Sequence, residues 1–283
     1  MKMFWRGVLL AAVVLITACS KEEETCTDCN NYEFNGEQRQ YSLHVPANLS
    51  DNAPLVFVLH GLGDTAEGME EYLKMNEIAD GAGFVVCYPQ GELDNEGSTH
   101  WNARLSISEV DDIGYLSDLA IKLQQEYNLN PQKTFVCGFS NGGFMSYTLV
   151  AEAPSIFKGA ASITGTMSGY TWNNRSSISA APVFQICGGQ DDVIPVDGSL
   201  TTEGGWGGAP AMEEVIGFWS DLNEVTNETT EENGSLTVYK GKNAQGQDRV
   251  WYYFHADVAH EIPNQEDHGI NTAALIWQFF EQF

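Results

Sequence analysis

The sequence predicts an α/β fold with a mostly parallel central sheet and helices on both faces, and three observations carry that expectation. Five short runs, 55–59, 83–87, 134–137, 160–163 and 182–186, are apolar almost throughout, as strands buried on both faces must be. Segments with helical spacing alternate with them, which makes βαβ units joined by right-handed crossovers. The run 160–163 is the faintest of the five, and no internal repeat or second domain interrupts the pattern.

Taken in chain order, 32–34 and 38–45 flank Asn35-Gly36, whose residues supply the positive φ angles of a two-residue hairpin turn. The first parallel strand, 55–59, leads to a helix over 66–79, and the second, 83–87, to a helix marked by Ile113, Leu116, Ala120, Leu123 and Tyr127. Strand 134–137 leads to helix 142–153, stopped by Pro154. After 182–186, residues 196–211 carry Gly204-Gly205-Trp206-Gly207-Gly208 and read as a flexible insertion outside the core. The chain then returns to strands at 235–239 and 249–255 around Gly246. It closes with a helix over 271–283 whose stripe is Leu275, Ile276, Phe279, Phe280 and Phe283.

Composition narrows the function. Of 283 residues, 43% are hydrophobic, 11% aromatic and 18% charged, which is the makeup of a packed globule. The formal net charge of −26 repels phosphate backbones and anionic lipid, so nucleic acid is excluded as a partner. The acidic residues show no ligand spacing, and no metal or cofactor is expected. At the N-terminus, Lys2 and Arg6 precede an apolar stretch too short to span a bilayer, which describes a secretory signal over 1–18. Its ending, Ile16-Thr17-Ala18-Cys19, resembles a bacterial lipobox, so Cys19 is expected to carry lipid and 19–31 to form a tether at the outer membrane or cell surface. The lipid is then the one contact with membrane. Cys26 and Cys29 are expected to pair as a local disulfide in an oxidising compartment. Cys87, Cys137 and Cys187 sit in strand-like runs as small buried hydrophobes.

The chemistry centres on Gly138-Phe139-Ser140-Asn141-Gly142, which follows a strand and opens a helix. Glycines on either side of a Ser permit the strained turn that lifts its hydroxyl clear of the sheet. A serine hydroxyl needs a base to take its proton and fixed donors for the oxyanion that develops. His60-Gly61-Leu62-Gly63, at the end of strand 55–59, offers the Leu62 N–H as one donor, and the Asn141 N–H at the helix start is the other. His60 precedes the nucleophile and is expected to hold its loop rather than act as base. The acid is sought after 182–186, where Asp191 in Gly188-Gly189-Gln190-Asp191-Asp192 leads and Asp192 is the runner-up. Among His255, His260 and His268, His260 leads because it lies in a loop that can reach the Ser. Asp111 and Asp112 read as caps of the helix they precede. Trp101, Trp172 and Trp206 fall in loops on the carboxyl side of strands and are candidates for stacking on substrate.

His60-Gly-Leu-Gly-Asp64, Trp101-Asn102, Asp111-Asp112-Ile113-Gly114, the Ser140 elbow, Gly188-x-x-Asp191-x-x-Ile194-Pro195 and His260-Glu261-x-Pro263 together resemble the polyhydroxybutyrate depolymerase-like branch of the α/β-hydrolases. That branch includes the feruloyl and acetyl-xylan esterases of carbohydrate esterase family 1. The resemblance covers roughly 32–283 and implies one α/β-hydrolase catalytic domain there, with Ser140 as nucleophile, His260 as base and Asp191 orienting it. Two departures stand near the site: Cys187-Gly188-Gly189 where the family often has His-Gly-Thr, and Ile262 where it often has Trp. The expected substrate is an ester-substituted plant cell-wall polysaccharide such as xylan, carrying feruloyl or acetyl groups. The alternatives are a polyester depolymerase or peptidase on the same scaffold, and a polysaccharide-binding lipoprotein without turnover.

Overall fold

The computed structural model describes residues 29–283. The signal and lipidation readings at 1–18 and Cys19, and most of the 19–31 tether with Cys26, lie outside the described residues, whereas Cys29 is disulfide-bonded.

The chain opens with β1 (Asn30–Phe34) and β2 (Glu37–His44), an antiparallel hairpin whose turn residues Asn35 and Gly36 both have positive φ. Then come β3 (Leu55–Leu59), helices α1 (Ala66–Leu73) and α2 (Met75–Ala82), β4 (Val85–Pro89), α3 (Asp112–Glu126), β5 (Thr134–Phe139), α4 (Asn141–Glu152), β6 (Ala160–Ile163), α5 (Gly169–Asn173) and β7 (Val183–Gly188). The remainder is α6 (Met212–Leu222), β8 (Val225–Asn233), β9 (Leu236–Asn243), β10 (Asp248–His255), α7 (Gln265–His268) and α8 (Thr272–Phe280). One sheet runs in the order β1-β2-β4-β3-β5-β6-β7-β10-β9-β8. Its middle, β4 to β10, is parallel throughout, and antiparallel pairs finish both edges.

The apolar runs are continuous because each strand serves two cores. Successive side chains of a strand point to opposite faces. Leu55, Phe57 and Leu59 accordingly pack on one side with Leu116, Leu119, Leu123, Phe144 and Trp219 from α3, α4 and α6. Val56 and Val58 pack on the other with Met69, Leu73, Met75, Ile276 and Phe279 from α1, α2 and α8. Helix α4 lies beneath the Ser140 turn and is buried from Asn141 to Val150, as expected of a helix with no polar face.

The structure corrects the sequence in three places. The single helix expected over 66–79 is broken at Lys74, which adopts φ 55° and ends α1 while starting α2. The break lets Leu73 and Met75 both reach the core, and Asn76 Nδ2 then donates to Glu70 Oε1 (2.6 Å) across it. Segment 196–211 is packed rather than flexible. Ser106 N donates to Gly205 O (2.8 Å), Gly169 N donates to Gly208 O (3.0 Å), and the Trp206 ring meets Phe144 edge-on. Glycine is needed there for close approach, since a Cβ on Gly205 would stand 2.8 Å from the Ser106 carbonyl. Finally, α6 and β8 are elements that the sequence pattern had not marked.

Candidate active site

Ser140 sits between β5 and α4 at φ 52°, ψ −116°, a conformation that costs on the order of 1–3 kcal/mol and persists only where its surroundings enforce it. They do so sterically. A Cβ on Gly138 would lie 2.4 Å from the Gly142 carbonyl carbon, and one on Gly142 would lie 2.4 Å from Leu59 O, so the turn closes only with glycine at both positions. The Ser140 N–H is tied to Ile163 O (2.8 Å), and the hydroxyl emerges at the carboxyl edge of the sheet.

Three groups from three loops converge there. His260 Nε2 is 2.9 Å from Ser140 Oγ, and His260 Nδ1 is 2.8 Å from Asp191 Oδ2. Asp191 is held by its own turn, because its Oδ1 accepts from the N–H groups of Val193 (2.9 Å) and Ile194 (2.8 Å). That leaves Oδ2 for the imidazole and fixes the tautomer: Nδ1 carries the proton, and the lone pair of Nε2 faces the serine hydroxyl. The Asp191 side chain is fully buried and that of His260 is 17% exposed, so the carboxylate acts in a low dielectric while the base stays in reach of substrate. The rival residues go elsewhere. Asp192 is exposed, His255 Nδ1 accepts from Asp257 N at the end of β10, and His268 faces Glu261.

The β3 loop closes over the elbow. A Cβ on Gly61 would lie 3.0 Å from the Phe139 ring and 3.6 Å from Ser140 Cβ, which brings the Leu62 peptide beside the nucleophile, and the Leu62 side chain is 41% exposed at the rim. Asn141 begins α4, where first-turn N–H groups have no partner within the helix. His60 holds this loop, as its position suggested. Gly91 N donates to its Nε2 (2.9 Å), so its Nδ1–H donates to Gly61 O (2.7 Å), and complete burial pushes its pKa down to about 4. Asp111 caps α3 by accepting from Gly114 N, whereas Asp112 makes no capping bond: it is buried and paired with Arg39 Nη2 at 2.8 Å.

One of the three tryptophans is corrected. Trp101 is 0% exposed, sealed between the β3 loop and Asn141, and no substrate can stack on it. Trp172 has the Arg175 guanidinium over its ring (3.9 Å) and Phe218 at its edge. Trp172 and Trp206, the latter resting on Phe144, are both half-buried and remain rim candidates. The sequence had not pointed to the cleft of about 750 Å³ that opens beside the base, lined by Phe139, His260, Tyr72, Lys74, Glu261 and Asn264 among others. The Phe139 and His260 rings are 5.1 Å apart at its floor. Phe139 and Glu261 are direct sequence neighbours of Ser140 and His260, which was the one available signal.

The pattern of the phospholipase/carboxylesterase family matches residues 42–204, from β2 through the elbow and the acid turn. The chain belongs to that family. It is 28% identical to poly(3-hydroxyalkanoate) depolymerase C of Paucimonas lemoignei over 83% of this chain and 57% of that protein. It is 26% identical to the bifunctional acetylxylan esterase/xylanase XynS20E of Neocallimastix patriciarum over 72% of this chain and 28% of that protein. The chain spans about half, or less, of the length of these curated relatives. The acetyl xylan esterase from Aspergillus awamori superposes with a TM-score of 0.63 at 17% identity, covering 87% of this chain and 94% of that one, which shows the common α/β-hydrolase fold. This member of the phospholipase/carboxylesterase family thus has the α/β-hydrolase fold and is related to acetylxylan esterases and to a polyhydroxyalkanoate depolymerase.

Proposed function

We propose that the protein is a serine esterase that removes acetyl or feruloyl groups from plant cell-wall polysaccharide such as xylan, outside the cytoplasm and anchored by lipid on Cys19. The observation that carries the esterase chemistry is the Ser140–His260–Asp191 hydrogen-bond chain on a strained elbow. Ser140 Oγ attacks the ester carbonyl carbon and its proton passes to His260 Nε2. The carbonyl oxygen becomes an oxyanion held by the Leu62 and Asn141 N–H groups, while Asp191 stabilises the imidazolium through Nδ1–H. The C–O bond to the sugar then breaks as His260 returns the proton to the leaving oxygen. Water, deprotonated by His260, releases the acid from Ser140 and restores both groups.

The cleft beside His260 supports a polar leaving group. It borders the residue that protonates the alcohol, and it combines the Phe139 and Tyr72 rings with the carboxylates Asp64, Glu77, Glu261 and Glu266 and the amide of Asn264. Rings and hydrogen-bonding groups of this kind suit a neutral sugar, while the carboxylates disfavour an acidic one. The relationship to an acetylxylan esterase points the same way. The relationship to poly(3-hydroxyalkanoate) depolymerase C favours a second reading, hydrolysis of hydroxyalkanoate polyester. Turnover of acetylated xylan fragments, methyl ferulate and hydroxybutyrate oligomers decides between them. The xylan reading predicts the highest kcat/KM on xylan esters or methyl ferulate, and a tenfold preference for hydroxybutyrate oligomers would replace it with the polyester reading. The anchor is tested separately: Cys19→Ser should move the protein from the membrane fraction to the soluble one with unchanged specific activity, and an unacylated wild-type N-terminus by mass spectrometry would refute it.

A further inference from the structure

Trp101 lies on the loop between β4 and α3 and touches both arcs of the oxyanion site. Its backbone pairs with the Asn141 side chain in two hydrogen bonds, Trp101 N donating to Asn141 Oδ1 (2.7 Å) and Asn141 Nδ2 donating to Trp101 O (3.0 Å). Its indole Nε1 donates to His60 O (3.0 Å), two residues before Leu62, and its ring lies 5.0 Å from the His60 imidazole. His60, Trp101 and Asn141 are each 0% exposed. A primary amide that satisfies both backbone groups of one residue tolerates a single register, so the position of Trp101 determines that of Asn141 and of its N–H. The indole bond constrains the other arc in the same way.

Trp101 is itself anchored. The next N–H, that of Asn102, donates to Asp112 Oδ2 (2.8 Å), while Asp112 Oδ1 accepts from Arg39 Nη2 (2.8 Å). The Arg39 guanidinium lies 3.9 Å over the Tyr115 ring. A buried ion pair adds little net stability over an apolar replacement, and its use here is conformational: one carboxylate oxygen meets the cation and the other fixes the loop.

We infer that Trp101 is a positioning residue of the oxyanion hole. It bridges the loops that carry the Leu62 and Asn141 donors and sets their separation, with Asp112 and Arg39 holding the bridge. The inference rests on the serine-esterase reading above. Oxyanion donors act only when placed within hydrogen-bond distance of where the charge develops, and a displacement of about 1 Å costs on the order of 10²-fold in rate. A loosened bridge therefore weakens transition-state binding and leaves ground-state binding alone, so kcat falls while KM holds.

The test uses the mature protein with rates normalised to active sites titrated by a fluorophosphonate. Trp101→Phe keeps an aromatic ring and the backbone pairing with Asn141, and removes the indole bond to His60 together with the pyrrole part of the ring. We expect kcat to fall about 10-fold, KM to stay within about twofold, and the pH–rate profile to keep its midpoints. The Ki of a trifluoromethyl ketone, to which the serine adds to form an oxyanion, should rise by the factor that kcat/KM loses. Asn141→Asp keeps the acceptor for Trp101 N but sets a carboxylate oxygen against Trp101 O, and should lose about 10²-fold in both measures. Unchanged rates per titrated site, a loss carried by KM, or an unchanged Ki would each overturn the positioning role. Retained activity in Ser140→Ala would instead overturn the esterase reading on which it rests.

Discussion

The two halves of the site are built differently. On the side of the proposed oxyanion donors, His60, Trp101 and Asn141 are fully buried and locked by hydrogen bonds to one another and to Gly61 and Gly91. On the base side, His260 is partly exposed, Glu261 is exposed, and the loop runs beside an open cleft. The groups that meet a developing charge gain from being immobile before the reaction, because no reorganisation then accompanies charge formation. The group that ferries protons between serine, leaving alcohol and water needs access to each in turn. Asp191, buried and doubly bonded by its own turn, supplies the one fixed point on the base side.

Four measurements break or sharpen this contrast, in falling order of effect. Ser140→Ala, where the halves meet, should fold normally and lose at least about 10⁴-fold in kcat; a variant keeping a tenth of wild-type activity would remove Ser140 from the mechanism. Asp191→Asn should lose about 10³-fold, whereas the exposed Asp192→Asn stays within about threefold. Equal, mild losses from the pair would place the orienting acid elsewhere.

The third measurement concerns pH on the buried side. Burial holds the His60 pKa near 4, below its ordinary 6.5, so the unfolded chain binds a proton there that the folded chain refuses. Stability is then full above pH 6.5, falls as pH drops toward 4, and changes no further below that, a loss of about 3 kcal/mol from this one residue. Urea unfolding at pH 7 and pH 4.5 should show a smaller loss in His60→Gln than in the wild type; identical losses would mean that His60 is not held neutral. The smallest effect belongs to the open side. Esters whose alcohol carries a carboxylate should be poorer substrates than neutral ones by about three- to tenfold at low salt, the gap closing at high salt and narrowing in Glu261→Gln. A salt-independent gap would show that the cleft's charges play no part.

The same contrast explains what was legible in the sequence. The parallel strands and α4 could be read because burial on both faces leaves apolar runs, and the elbow because its glycines have no substitute at 2.4 Å from backbone. Asp191 and His260 followed from order along the chain. Helix α6 carries a readable stripe in Met212, Val215, Ile216 and Trp219, which the pattern of strands and glycine-rich insertion around it left without an element. Strand β8 was not legible at all: Val225–Asn233 is an exposed edge rich in Thr and Glu, whose order comes from pairing with β9 and not from an apolar face. Trp101 was misread because an aromatic in a loop at the carboxyl edge can face substrate or core, and only the pairing with Asn141, 40 residues away in sequence, decides which.

The most direct test of the central claim is to treat the purified protein with a fluorophosphonate and map the adduct by peptide mass spectrometry while following hydrolysis of an acetyl ester. One adduct per chain on the peptide containing Ser140, formed in step with loss of activity and absent from Ser140→Ala, is the predicted result. Full inactivation with Ser140 unmodified, or activity persisting after Ser140 is fully labelled, would contradict it.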